Sequence, residues 1–330
     1  FYTVLWAATA GDAWGEAIGD DKLAAGLMCA AAPSKGKIAS IQLLRAIAAS
    51  SVVVGHVAFA FADHIGAGLG LAAPEGVTGQ IAVMLFFVVS GFVMVIAARD
   101  KRGQRRAARA FWLRRFIRIM PPYWLATLAL AVVFLTIQPQ SVPLVPMLKS
   151  LALVPFWPED GGLRPMPFLW VGWTLFYEMV FYALFGLFIG LGQRLGIAAT
   201  AAALGALVLA GMAVPPDSAF LFAVTRPVLL MFLAGMGLAL WRETGGRAPA
   251  AVRIIALVAL LPAFTMIAPP QNIEAMEFDY LAWCGVPAAL FGFAVLGGPL
   301  SLPAPRRVIA AGDISYALYL LHVPIAWFWL

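Results

Sequence analysis

Charge is scarce in this sequence. Asp, Glu, Lys and Arg together make up 12% of its 330 residues, about half the share found in soluble globular domains. Histidine occurs three times, as His56, His64 and His322, and cysteine twice, as Cys29 and Cys284. Two cysteines so far apart match neither a disulfide framework nor a zinc-ligand spacing, so no metal site is expected. So few histidines leave few groups for acid–base work near neutral pH. Internal repeats and low-complexity linkers are absent. So are the short alternating segments of a membrane β-barrel.

What fills the chain is apolar: 63% of residues are hydrophobic. They gather in runs near the ~20 residues that cross a bilayer core. The expected fold is all-α, a polytopic transmembrane helical bundle of about nine to ten spans. Nine are read, at roughly 38–62, 78–98, 117–137, 167–190, 195–214, 219–241, 251–268, 280–297 and 307–330. The proline-broken stretch 141–157 reads as a re-entrant or interfacial piece. Residues 1–37 form an N-terminal extension of undetermined structure, and 38–330 a single membrane domain. The chain starts at Phe1 rather than Met and stops inside an apolar run at Leu330, so it is expected to be a piece cut short at both ends.

The formal net charge of +6 falls in the loops, so it points to membrane orientation and not to nucleic acid. Lys35 and Lys37 precede the first span, and the loop near 63–77 has no Lys or Arg. The next loop carries a basic cluster from Arg99 to Arg118, and basic and non-basic loops keep alternating to the end. The positive-inside rule then puts the residue-38 side in the cytoplasm.

Polar groups inside spans are costly and tend to mark function. Arg45 and His56 are eleven positions apart in the first span, so they share a face about 16 Å apart along the axis. The plainer readings are a snorkelling arginine and a packed core histidine; the sharper one is a neutral imidazole acting as general base. Glu178, with Thr174 and Tyr182 one turn to either side, needs a proton or a cationic partner. His56 and Arg45 are candidate partners, and a helix-locking hydrogen bond is the alternative. Ser315, Tyr319 and His322 lie on one stripe of the last span. Arg114, Arg115 and Arg118 abut Pro121 and Pro122 at a span entry, where arginine forks suit phosphate as well as topology.

Five stretches carry a resemblance: LRAIAASSVVVGH (44–56), LFFVVSGFVM (85–94), FWLRRFIRIMPPYW (111–124), WTLFYEMVFY (173–182) and ISYALYLLH (314–322). In this order they resemble the acyltransferase 3 family, integral-membrane O-acyltransferases of bacterial cell-surface polysaccharides. The resemblance implies that His56 is the essential histidine, with Arg45 accompanying it. It implies that the R-x-x-R pair Arg115 and Arg118 engages the acyl donor, and it matches Glu178 and Ser90 to two further motifs. Arg114 joins the donor-binding candidates. Trp173, Thr174, Tyr182, Ser315, Tyr319 and His322 join as substrate-contacting or supporting residues.

The expected function is transfer of an acyl group, most simply acetyl, from cytoplasmic acetyl-CoA to a hydroxyl of an extracytoplasmic or lipid-linked carbohydrate. His56 would serve as general base or acyl relay, and Glu178 would steady it. The expected setting is the lipid bilayer of a bacterial inner membrane. The alternative reading is a membrane transporter of an acyl, sugar or ion substrate that uses His56 and Glu178 as a proton relay.

Overall fold

The computed structural model of the chain describes residues 38–64, 76–97, 107–137, 142–159, 161–300 and 305–329. The extension 1–37 lies outside them. Helices follow the apolar runs: α1 (Ala39–His64), α2 (Val77–Ala97), α3 (Ala107–Thr136), α4 (Leu144–Leu151), α5 (Trp173–Phe188) and α6 (Gln193–Ala213). They continue as α7 (Ala219–Thr225), α8 (Leu230–Glu243), α9 (Ala250–Val258), α10 (Leu260–Met266), α11 (Val286–Leu296) and α12 (Arg306–Trp329). No strand occurs among the described residues. A backbone in lipid must satisfy its own N–H and C=O groups, which is why runs of this length become helices.

Eight helical stretches among the described residues are long and apolar enough to cross a membrane. One of them, Ala219–Glu243, joins α7 and α8 across Pro227; another, Phe278–Leu296, includes α11. At the expected span 251–268 the apolar helical stretch, Ala250–Pro262, is shorter than the helices long enough to cross a membrane. Its helices α9 and α10 part at Ala259, because Pro262 has no N–H for the carbonyl of Val258.

The third span also differs from expectation. Helix α3 starts at Ala107, so Arg109, Arg114, Arg115 and Arg118 are helical residues and not part of a loop. It runs on through Pro121 and Pro122, whose missing N–H groups leave the carbonyls of Ile117 and Arg118 without their usual donors. The piece expected at 141–157 is the eight-residue α4. It folds back on the middle of α3, where Tyr123 donates to the carbonyl of Ser150 at 3.1 Å and the Trp124 indole to that of Leu151 at 2.8 Å.

Close packing of small residues assembles helices in lipid, where there is little hydrophobic drive between them. A Cβ on Gly91 of α2 would stand 2.1 Å from the carbonyl oxygen of Phe232 on α8, and one on Gly235 would stand 2.0 Å from that of Val88. Backbones therefore touch at this crossing. The Phe232 ring lies between Phe181 of α5, 4.4 Å away, and Phe87 of α2, 4.7 Å away. Helix α12 lies along α1, with Gly312 against the backbone of Gln42. Tyr316 of α12 reaches α3 and donates to the carbonyl of Ile119 at 2.9 Å. These contacts draw α1, α2, α3, α5 and α12 around one interior space.

Candidate active site

That space is a cavity of about 100 Å³ lined by residues of all five helices. Arg45 enters it from α1, Ser90 from α2, Arg115 and Arg118 from α3, and Glu178 and Tyr182 from α5. Tyr316 and Tyr319 complete it from α12. The first-span arginine and the R-x-x-R pair are thus brought together, although 70 positions separate Arg45 from Arg115. Arg114 is exposed and does not line the cavity. It lies one residue before Arg115, so the helix turns it about 100° away.

Each cation here is held differently. Arg45 donates from Nε to the hydroxyl of Ser315 at 3.2 Å, and Ser315 donates on to the carbonyl of Gly312 at 2.8 Å. Arg115 lays its guanidinium over the rings of Phe111 and Tyr182, at 5.7 and 5.4 Å. Such a face holds a cation while leaving its N–H groups for another partner. Arg118 is exposed at the rim. Glu178 uses one carboxylate oxygen twice, accepting from Tyr182 at 2.5 Å and from Ser90 at 3.2 Å. The serine of the second motif and the glutamate of the fourth are therefore direct partners.

Deeper in, Tyr319 donates to the carbonyl of Val171 at 2.8 Å and stands 3.1 Å from the Thr174 hydroxyl. Tyr319 and Thr174 both line the cavity, whereas His56 and His322 do not. The histidines stand beyond this pair: the His322 ring is 6.2 Å from that of Tyr319. His56 Nδ1 meets His322 Nε2 at 2.7 Å, with the rings stacked 5.0 Å apart, and Trp170 packs edge-on to His56 at 4.5 Å.

The proton order of this pair follows from its neighbours. His322 Nδ1 lies 3.3 Å from the carbonyl of Leu318. A carbonyl only accepts, so Nδ1 carries the proton and Nε2 of a neutral His322 is the acceptor. His56 must then donate from Nδ1, which leaves the lone pair on its Nε2. A general base needs that lone pair.

The expectation that Glu178 steadies the imidazole is corrected: His322 is the partner of His56, while Glu178 bonds Ser90 and Tyr182. The reason lies in their separation along the chain. Trp170, which touches His56, lies in the 3-10 turn just before α5, eight residues before Glu178, which puts the two more than about 10 Å apart along the axis. Ser315, Tyr319 and His322 do share one buried stripe: Ser315 and His322 meet Arg45 and His56 of α1, and Tyr319 meets Thr174 of α5. Trp173 turns away from the cavity and stacks against Arg164 at 4.8 Å. Sequence reasoning missed Trp170 and Tyr316. Their signal was weak, since both look like ordinary membrane aromatics beside the motif residues Trp173 and Ser315. Among the described residues, no group of three or more His, Cys, Asp or Glu could hold a metal ion.

Comparison with known proteins agrees over the membrane domain, residues 38–330. The chain is 36% identical to the exopolysaccharide production protein ExoZ of Rhizobium meliloti over 256 residues, covering 74% of this chain and 75% of that one. It is 29% identical to the acyltransferase MdmB of Streptomyces mycarofaciens over 324 residues, 88% of this chain and 79% of the relative. A shorter match, 23% over 156 residues, links it to the peptidoglycan O-acetyltransferase OatA of Listeria monocytogenes, covering 47% of this chain and 21% of that protein. No solved structure matches. The family model for the acyltransferase domain covers residues 38–330, every helix described above, and the chain therefore belongs to the acyltransferase 3 family and is an integral-membrane acyltransferase.

Proposed function

We propose that the protein moves an acyl group, acetyl in the simplest case, from cytoplasmic acyl-CoA to a hydroxyl of an extracytoplasmic or lipid-linked carbohydrate. One observation carries this reading: a cavity lined by Arg45, Arg115 and Arg118 is also lined by Tyr319, whose ring is 6.2 Å from that of His322, the partner of His56. Arg115 and Arg118 suit the phosphates of coenzyme A, which guanidinium groups bind with charge-assisted hydrogen bonds. The pantetheine arm would extend from them past Glu178 towards Tyr319, delivering the thioester near the histidines. The names of two relatives, an exopolysaccharide production protein and a peptidoglycan O-acetyltransferase, favour a carbohydrate acceptor.

In the reaction, Nε2 of His56 takes the proton of the acceptor hydroxyl as its oxygen attacks the thioester carbonyl. The C–S bond breaks, an ester forms, and the departing thiolate takes the proton back from the imidazolium. His322 holds His56 in the productive tautomer, the role a carboxylate has in many triads. Glu178 balances the arginines and, through Ser90, ties α2 to α5. Basic clusters on the arginine side support its cytoplasmic placement.

The test is thiol release from acetyl-CoA by detergent-purified protein, alone and with polysaccharide repeat units. A His56→Ala variant that inserts normally is expected to lose about 10²–10⁴ of the rate. Full activity in that variant would remove the general-base assignment. If wild type neither binds nor turns over acetyl-CoA, the donor assignment falls.

A further inference from the structure

Arg164 has no part in the chemistry described so far, yet among the described cations it has the most buried nitrogens without a hydrogen-bond partner. Its Nε and Nη1 are buried with no hydrogen-bond partner. Its guanidinium lies over the ring of Trp173 at 4.8 Å, at the start of the helix that carries Thr174 and Glu178. Trp173 adjoins Thr174, whose hydroxyl stands 3.1 Å from that of Tyr319, and Trp170, three residues earlier on the same segment, packs on His56 at 4.5 Å. Arg164 therefore lies against the segment that reaches the histidine end of the site and belongs to a different structural unit from Arg115 and Arg118.

The loop that presents it is braced. Pro165 and Pro167, flanking the next turn, are buried. The Leu163 N–H donates to Glu274 Oε2 at 2.9 Å, and the Ser150 hydroxyl accepts from the Phe168 N–H at 2.6 Å. The turn that holds Glu274 is itself pinned by Arg226, which donates to Glu277 at 2.6 Å and to the carbonyl of Ala275 at 3.4 Å. Both acids of that turn are thus engaged, one by a backbone N–H and one by another arginine. Arg164 is half-buried, and a guanidinium whose Nε and Nη1 are buried and unsatisfied is costly. Holding it there on a rigid loop makes physical sense when an anion arrives to complete it.

We propose that Arg164 is an acceptor-side anion site: its two unpartnered N–H groups receive an anionic oxygen, carboxylate or phosphate, of the molecule that is acylated. The protein would then act on acidic or phosphate-linked carbohydrates. The charged group would dock on the Arg164–Trp173 pair and orient the sugar so that a hydroxyl faces His56. This inference rests on the acyl-transfer reading for its acceptor, but its test does not.

The test is calorimetric titration of the full chain in lipid nanodiscs with inorganic pyrophosphate and with D-glucuronate. An Arg115→Ala/Arg118→Ala background removes anion binding at the donor end. The expected result is binding of at least one anion, weakened tenfold or more by Arg164→Gln and kept within about threefold by Arg164→Lys. Preference for glucuronate would assign the contact to an acidic sugar, and preference for pyrophosphate to a phosphate link. Arg164→Met, which keeps the apolar stem over Trp173, replaces Arg164→Gln if that variant fails to fold. Overturning results are an absence of binding for both anions and binding that does not depend on Arg164. Absence of Arg164-dependent anion binding would leave the donor and His56 assignments to their own test, and failure of wild-type thiol release would leave anion binding to be read as it is, so the two readings fail separately.

Discussion

At the arginine end of the site, Arg118 is exposed at the rim, Arg115 spreads over two aromatic faces, and Glu178 is shared between Ser90 and Tyr182. At the histidine end, two neutral-capable rings bond each other, and Trp170 packs against them. Five helices line the cavity, and Tyr319 stands between the two ends. The contrast follows from solvation. A guanidinium is affordable in a membrane protein where it keeps access to water or rests on π-faces. An imidazole can be neutral, so it can go deeper. On the proposed reading, donor recognition belongs at the arginine end and proton transfer at the histidine end, and each end can be perturbed alone.

The largest effect is expected from the frame both ends share. Gly91→Leu places atoms where the Phe232 carbonyl already stands, which should cost on the order of 4 kcal/mol or more. Monodisperse protein should be lost on size-exclusion chromatography. Well-folded Gly91→Leu protein would mean that the α2–α8 crossing can open. Next in size is Arg115→Ala with Arg118→Ala. Two charge-assisted bonds at about 1.5–3 kcal/mol each predict a rise of 10²-fold or more in KM for acetyl-CoA, with a smaller change in kcat. Added salt should raise the wild-type KM as well, because the mouth is open to screening. An equal loss in kcat and no change in KM would contradict the division between the two ends.

His322→Ala should do the reverse, lowering kcat about tenfold with KM for the donor kept, since one neutral hydrogen bond is worth roughly 1 kcal/mol. His322→Asn, whose side-chain oxygen can accept from His56 Nδ1, should recover part of it. No difference between Ala and Asn would reduce His322 to a packing residue. The smallest effect is expected of Tyr319→Phe, which removes the bonds to Val171 and Thr174. Loosening the partition should raise acceptor-independent thiol release two- to fivefold, an estimate from the same ~1 kcal/mol scale. Unchanged or slower release would show that the hydroxyl does more than hold the partition closed.

Much of the fold was legible because it depends on local pattern. Apolar length, proline position and the alternation of basic loops each act over one span, and the helices lie where those patterns put them. Helix faces were legible for the same reason: Arg45 with His56, and Ser315 with Tyr319 and His322, follow from a fixed rise and turn. The start of α3 was not, because a basic helical stretch and a basic loop share a composition. The pairing of His56 with His322 spans 266 positions, and no periodicity relates them. The same holds for Ser90 with Glu178 and for Arg45 with Ser315.

The sequence by itself determined that this chain is a helical membrane protein, which helix faces carry polar groups, and which family its motifs match. Those properties come from residue type and from the 3.6-residue period of a helix that must satisfy its own backbone in lipid. Only the tertiary structure decided that Glu178 serves Ser90 and Tyr182 and not His56, that Trp173 faces Arg164, and that Tyr319 divides the site. Each of these depends on how far one helix is rotated and shifted against another. Contacts such as Gly91 on Phe232 and Gly312 on Gln42 set that rotation, and such contacts form only when distant segments meet.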